Sequence, residues 1–183
     1  MTADTQIPPH RFPPLAAWNA LCARLDAAAP AILTTLARFA FAAVLLAFFW
    51  NSAGTKLDGL FTPTLGAYAQ IFPRALEAAS YDLSSFGTVH HAIILLGAWA
   101  EYILPALILL GLFTRLAALG MIGFVLVMTI VDIAGHGAGI GTWFDRDAAS
   151  LIADQRLLWL VLLMTLVLRG AGPLSLDRII GLR

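Results

Sequence analysis

AIILLGAWAEYILPALILLGLFTRLAALGMIGFVLVMTIV, residues Ala92–Val131, is the stretch that decides the fold. Only two charged side chains, Glu101 and Arg115, interrupt it. Two apolar segments, about Ala92–Phe113 and Leu116–Val131, meet through Gly111-Leu-Phe-Thr-Arg115. A bilayer core of about 30 Å takes roughly 20 residues of helix. The first segment reaches that length alone and the second does so with its flanks. A connection this short forces the two to be antiparallel neighbours.

Working outward, a segment of the same character runs from Ala31 to Trp50, broken only by Thr34, Thr35 and Arg38, and another covers Leu157–Leu168. Arg115, Arg156 and Arg169 stand at the ends of the shorter segments, where their heads can snorkel to the headgroups. The reading is an all-α integral membrane four-helix bundle. Three spans with an interfacial fourth segment is the alternative.

Composition agrees. Of 183 residues, 60% are hydrophobic and 12% charged, against about 25% charged in a soluble domain. Mean hydropathy is +0.86. One domain of this length cannot hide that excess in a soluble core, which excludes a water-soluble enzyme. Eleven basic and eleven acidic residues cancel, so no basic field draws the chain to nucleic acid. The single cysteine, Cys22, excludes an internal disulfide, an iron–sulfur cluster and a two-thiol relay. Any redox chemistry must come from a bound molecule.

Residues 1–30 read as an N-terminal arm and 31–183 as the four-helix domain. In the arm Pro8, Pro9, Pro13 and Pro14 predict an extended start, and Leu15, Trp18, Leu21, Cys22 and Leu25 an amphipathic helix ending before Pro30. The first span lacks a basic leader and a small-residue cleavage site, so it is expected to stay as a signal anchor. Arg11, Arg24, Arg115, Arg169, Arg178 and Arg183 fall on the side of the termini, and Lys56, Arg74, Arg146 and Arg156 on the other. That bias places both termini in the cytoplasm. The two long connections then lie outside, and Thr64–Ala79 reads as an interfacial helix with Leu65, Tyr68, Ile71, Phe72 and Leu76 on its apolar face.

Ionisable groups at membrane depth have a partner or a task. Arg38 and Glu101 are expected to pair inside the bundle, as a packing device or as part of a site. Pro105 removes the amide that would bond the Glu101 carbonyl, which predicts a kink and a polar cavity there. Helical angles put Arg38, Ser52 and Lys56 on one face of the first helix, if it continues that far, and His90, Gly97, Glu101 and Pro105 on one face of the second. Thr129, Asp132 and His136 line the outer end of the third. His90, His91, Asp132, His136 and Lys56 thus gather at the outer boundary. A transition metal is possible there, though the spacing matches no metal motif; a bis-histidine haem, a quinone headgroup or plainly solvated histidines are the other readings. A quinone site needs donors at two carbonyls, proton acceptors and an apolar channel, and the chain has all three. On that reading His90 or His136 exchanges the quinol proton with the outside, Asp132 orients the imidazole and Glu101 carries charge compensation inward, while Arg38, Lys56 and His91 hold the headgroup.

An arginine in the first span, then Asn51-Ser-Ala-Gly54 with Lys56, then Glu101, the hairpin Leu109–Ala117 and the closing Gly172-Pro-Leu-Ser-Leu-Asp177 resemble the DoxX family of small bacterial membrane proteins. The long loop Leu57–Thr88 and the glycine-rich segment after Asp132 depart from its pattern. The resemblance implies a four-helix protein of the bacterial inner membrane. Some relatives are subunits of thiosulfate:quinone oxidoreductase, others belong to oxidative-stress complexes. It therefore implies a membrane subunit that binds quinone and couples electron transfer from a protein partner to proton exchange. A non-catalytic scaffold subunit and a small-solute or metal-ion carrier are the alternatives.

Overall fold

The computed structural model describes residues 13–182. Pro8, Pro9, Arg11 and Arg183, which entered the reading of the arm and the charge bias, lie outside the described residues. Among the described residues four helices are long and apolar enough to cross a membrane: Pro14–Lys56, Thr88–Leu110, Thr114–Gly135 and Leu151–Arg169. The chain is therefore a multi-pass membrane protein with an all-α bundle, and the fourth segment spans.

The first of them is longer than the sequence suggests. α1 (Pro13–Phe41) continues through a π-helical turn (Ala42–Leu46) into α2 (Ala47–Lys56) without a break. Pro13 and Pro14 open α1 instead of extending an arm, because a proline in the first turn has no intrahelical bond to lose. Pro30 is carried inside the helix rather than ending it. At 1.5 Å per residue the continuous run is about 65 Å long, twice the hydrocarbon thickness. Leu15, Trp18, Leu21 and Leu25 are exposed on the surplus N-terminal part.

A small hairpin follows, β1 (Leu57–Asp58) against β2 (Thr62–Pro63), and then α3 (Leu65–Ile71) and α4 (Pro73–Ala78). The single interfacial helix expected over Thr64–Ala79 is thus two, because Pro73 cannot continue α3. Thr64 ties them to the bundle: its amide donates to Lys56 O (2.9 Å), its hydroxyl donates to Thr55 O (2.8 Å), and the same oxygen caps α3 at the Ala67 amide. Tyr68 and Leu76 are buried against Ile94, so this loop packs on the bundle.

α5 (Thr88–Leu110) and α6 (Thr114–Ile130) form the central hairpin, and α7 (Arg156–Arg169) and the short α8 (Leu176–Ile179) close the chain. Each long helix touches two others, α1 and α2 on α5, α5 on α6, α6 on α7, and α7 on α1. The ring is sealed by Phe41, Leu45 and Phe49 with Ile108, Met121, Leu163 and Leu166. Ala37, Ala53, Ala98, Ala117 and Ala118 are buried as well, the small residues that let helices approach where lipid offers no hydrophobic drive.

The end carrying the Gly111 turn is fastened by ions. α5 stops at Gly111 in the left-handed region (φ 67°), with Leu112 N donating to Leu107 O. A Cβ there would lie 2.6 Å from Ser175 Cβ and 2.8 Å from Arg38 Cζ, so only glycine fits. Asp177 accepts from the amides of Phe113 (2.7 Å) and Thr114 (2.9 Å), capping α6 from the far end of the sequence. Asp177→Ala orphans both amides and is expected to destabilise by about 1–2 kcal/mol. Thermal unfolding in detergent checks this, with Asp177→Asn expected between that variant and the native chain.

Candidate functional site

The chain has one lysine, and it is buried. Lys56 is the last residue of α2 and Glu101 lies well inside α5. Their relative exposures are 4% and 2%. The ammonium reaches Glu101 Oε1 at 2.7 Å and Oε2 at 2.6 Å, and donates to Ser52 Oγ at 2.7 Å. Ser52 in turn donates to Glu101 Oε1 at 3.2 Å. All three ammonium protons therefore have acceptors, as burial at this depth requires. Ser52 and Lys56 are four residues apart, one helical turn, and so face the same carboxylate.

This corrects the expected ion pair. Arg38 does not meet Glu101. Its Nε donates to Ile108 O (2.9 Å), Nη1 to Ala171 O (3.3 Å) and Leu174 O, and Nη2 to Leu109 O. Arg38 thus satisfies the C-terminal carbonyls of α5, where the helix dipole favours a cation, and holds the closing segment against them. The cavity expected beside Glu101 and Pro105 is filled: Pro105 is buried inside the continuous helix α5, and Lys56 and Ser52 take the space next to the carboxylate.

Aromatics neighbouring the pair in sequence contact one another across α2 and α5. Trp50 Nε1 donates to Tyr102 O (3.2 Å), and Trp99 packs between Phe61 and Tyr102 at centroid distances of 6.4 and 6.3 Å. The Tyr102 hydroxyl lies against Gly54, 3.5 Å from where a Cβ on that residue would sit. From the sequence Trp50 and Trp99 read as interfacial or packing aromatics, the ordinary role of indole at a membrane boundary, and Tyr102 is not singled out. Tyr102 adjoining Glu101, with Trp50 two residues before Ser52, was the signal available.

The loop-end cluster does not form as one site. His90 sits edge-on to Phe72 and Phe86, at 4.9 and 5.0 Å, with Nδ1 buried and unpartnered. His91 Nδ1 meets the Tyr68 hydroxyl at 2.6 Å, and His136 Nε2 meets Gln70 O at 2.9 Å. All three histidines thus fasten the loop between α2 and α5. Asp132 does not orient His136; it pairs with Arg156, which is 5% exposed. Arg156 Nε and Nη1 have no hydrogen-bond partner among the described residues. Among the described residues no group of three or more His, Cys, Asp or Glu side chains is placed to hold a metal.

A model of the DoxX family matches residues 33–137, more than half of the chain. The match takes in Arg38, Ser52, Lys56, Glu101, Asp132 and His136, and stops before Arg156 and the closing segment. No curated protein and no solved structure matches the chain significantly.

Proposed function

The chain belongs to the DoxX family, and on that premise we propose that it is a membrane subunit of an oxidoreductase system that binds quinone. Its partner supplies the electrons, and the Lys56–Glu101 pair handles the protons. The buried pair with its Ser52 bridge is the observation that carries the reading. At a depth where one charge costs about 2.5–3.5 kcal/mol, an acid and a base in bidentate contact hold a mobile proton without net charge. The residues fit a quinone in kind. Tyr102 is a hydrogen-bond donor, Glu101 is a proton acceptor, and Trp50, Trp99 and Phe61 are flat apolar walls open to the lipid. Quinone supplies two-electron carrier chemistry when bound. The chain's own part is to orient it through Tyr102, to exclude water by the aromatic wall, and to exchange a proton at Glu101 Oε2. The reading moves the site from the histidines to the α2–α5 interface. It places the protein in the bacterial inner membrane with both termini cytoplasmic, beside a protein partner.

Gentle extraction followed by lipid mass spectrometry tests it. Native protein is expected to carry quinone in stoichiometric amount, while Trp99→Leu and Tyr102→Phe, at unchanged thermal stability, lose about tenfold in occupancy. Equal quinone in all three preparations, or none in the native one, overturns the reading. A non-catalytic scaffold role has its own support in the saturation of Arg38 and Asp177 by backbone groups. It predicts a stoichiometric partner protein without quinone.

A further inference from the structure

A second polar feature lies at the opposite end of the central hairpin. Between the first turn of α6, the end of α7 and α8 is a cavity of about 720 Å³. Three arginines line it, Arg115, Arg169 and Arg178, against one acid, Asp177. That acid is buried and already committed to the Phe113 and Thr114 amides. The cavity wall therefore presents an excess of positive charge.

Two details go beyond surface arginines. Thr114 is wholly buried, lines the cavity, and its hydroxyl has no hydrogen-bond partner among the described residues. A buried hydroxyl left unpaired is a donor awaiting an acceptor. Arg115 is held in place as its Nη1 donates to Val167 O (2.7 Å) and Leu168 O (3.0 Å). Its guanidinium lies over Gly170, where a Cβ would come within 3.4 Å of Nε. Beyond these, the second and third amides of α6 have no intrahelical acceptor and point out of the helix N-terminus along its dipole. An oriented guanidinium, an unpaired hydroxyl and free helix amides make a phosphate cradle.

We propose that this cavity binds the phosphate of an anionic phospholipid headgroup. The setting favours lipid over a soluble phosphate. The cavity opens at the end of the membrane-spanning helices, and Phe113, Leu116 and Leu182 on its lining are exposed apolar side chains, a surface for acyl chains. Arg169 and Arg178 are exposed, free to close over the headgroup. Basic clusters at this level of a membrane protein are worth a factor of about five in anionic-lipid affinity per arginine.

The test uses the full chain purified in a neutral detergent, with thermal unfolding followed as lipid is titrated in. Phosphatidylglycerol is expected to raise Tm in a saturable way and phosphatidylcholine not to. Arg169→Gln with Arg178→Gln is expected to weaken the half-saturation point by about 25-fold, and the corresponding pair of Lys variants to restore most of it. Thr114→Val, which removes the hydroxyl at nearly constant volume, reports on the cradle itself and is expected to weaken it about tenfold. Inorganic phosphate alone giving the full shift at millimolar concentration assigns the same cradle to a soluble anion. An unchanged phosphatidylglycerol response in the double Gln variant overturns the proposal.

Discussion

Lys56→Met is expected to lower the unfolding free energy of the solubilised protein by about 3–5 kcal/mol, and Glu101→Leu by a similar amount. Each change leaves the other member of the pair charged at a site no more than 4% exposed. Among the described residues no other ion pairs with either, and Arg38 is held by four carbonyls. The combined variant Lys56→Met, Glu101→Leu removes both charges and leaves apolar side chains of similar size. It is expected to recover most of the loss and to approach native stability. Denaturant titration in mixed micelles, followed by tryptophan fluorescence, reads all three. Losses that add in the double variant would mean that the ammonium and carboxylate are separately solvated and not in contact. Because the reading of function assigns proton exchange to this pair, the double variant also separates stability from activity: a folded bundle without proton coupling.

How far the sequence led depends on what kind of signal each residue gave. The spans were legible because hydrophobic length is a one-dimensional property, and Ala92–Val131 carries it almost without interruption. Their ends were less so. The surplus of α1 and the π-helical turns Val131–Gly135 and Leu151–Gln155, which end the third span and open the fourth, are backbone features that composition does not record. Glu101 was found by its cost at depth. Its partner is not legible from depth along each helix, because helix packing and side-chain reach decide which cation meets it. Lys56 reads as an outer-boundary residue by depth, whereas the face it shares with Ser52 is what points it to Glu101. The histidines misled for a different reason. Three imidazoles near one boundary suggested convergence, yet each bonds or packs separately against the Tyr68–Phe86 loop. Nothing in their spacing records a loop folded over them. In sequence Arg156 reads as a snorkelling end residue, and the glycine-rich segment between Asp132 and Arg156 gives no sign that the chain returns to bring them together.

Arg38→Gln is expected to be as damaging as the loss of Lys56, and its coupling to Glu101 is the decisive number. The guanidinium donates to Ile108 O, Leu109 O, Ala171 O and Leu174 O. It joins the last turn of α5 to the segment that also supplies Asp177 to α6. Hydrogen bonds from an ionised donor contribute about 1.5–3 kcal/mol each, and several fail together here, so a loss of at least about 3 kcal/mol follows. Lysine is a poor substitute, because one ammonium cannot span carbonyls on two segments as the planar fork does. Arg38→Lys is therefore expected to recover less than half of the loss. Release of the closing segment gives a local readout as well. Limited proteolysis near Gly170–Leu174, where Gly172 is wedged against Thr34 in the native packing, is expected to accelerate in Arg38→Gln well before global unfolding. An Arg38–Glu101 ion pair predicts a double Gln variant milder than the sum of its parts. Two separate devices at different levels of α5 predict additivity within about 0.5 kcal/mol. Additive losses, with proteolysis raised by Arg38→Gln and unmoved by Glu101→Gln, are the expected result; a coupling above about 1 kcal/mol between the two would return Arg38 to the carboxylate.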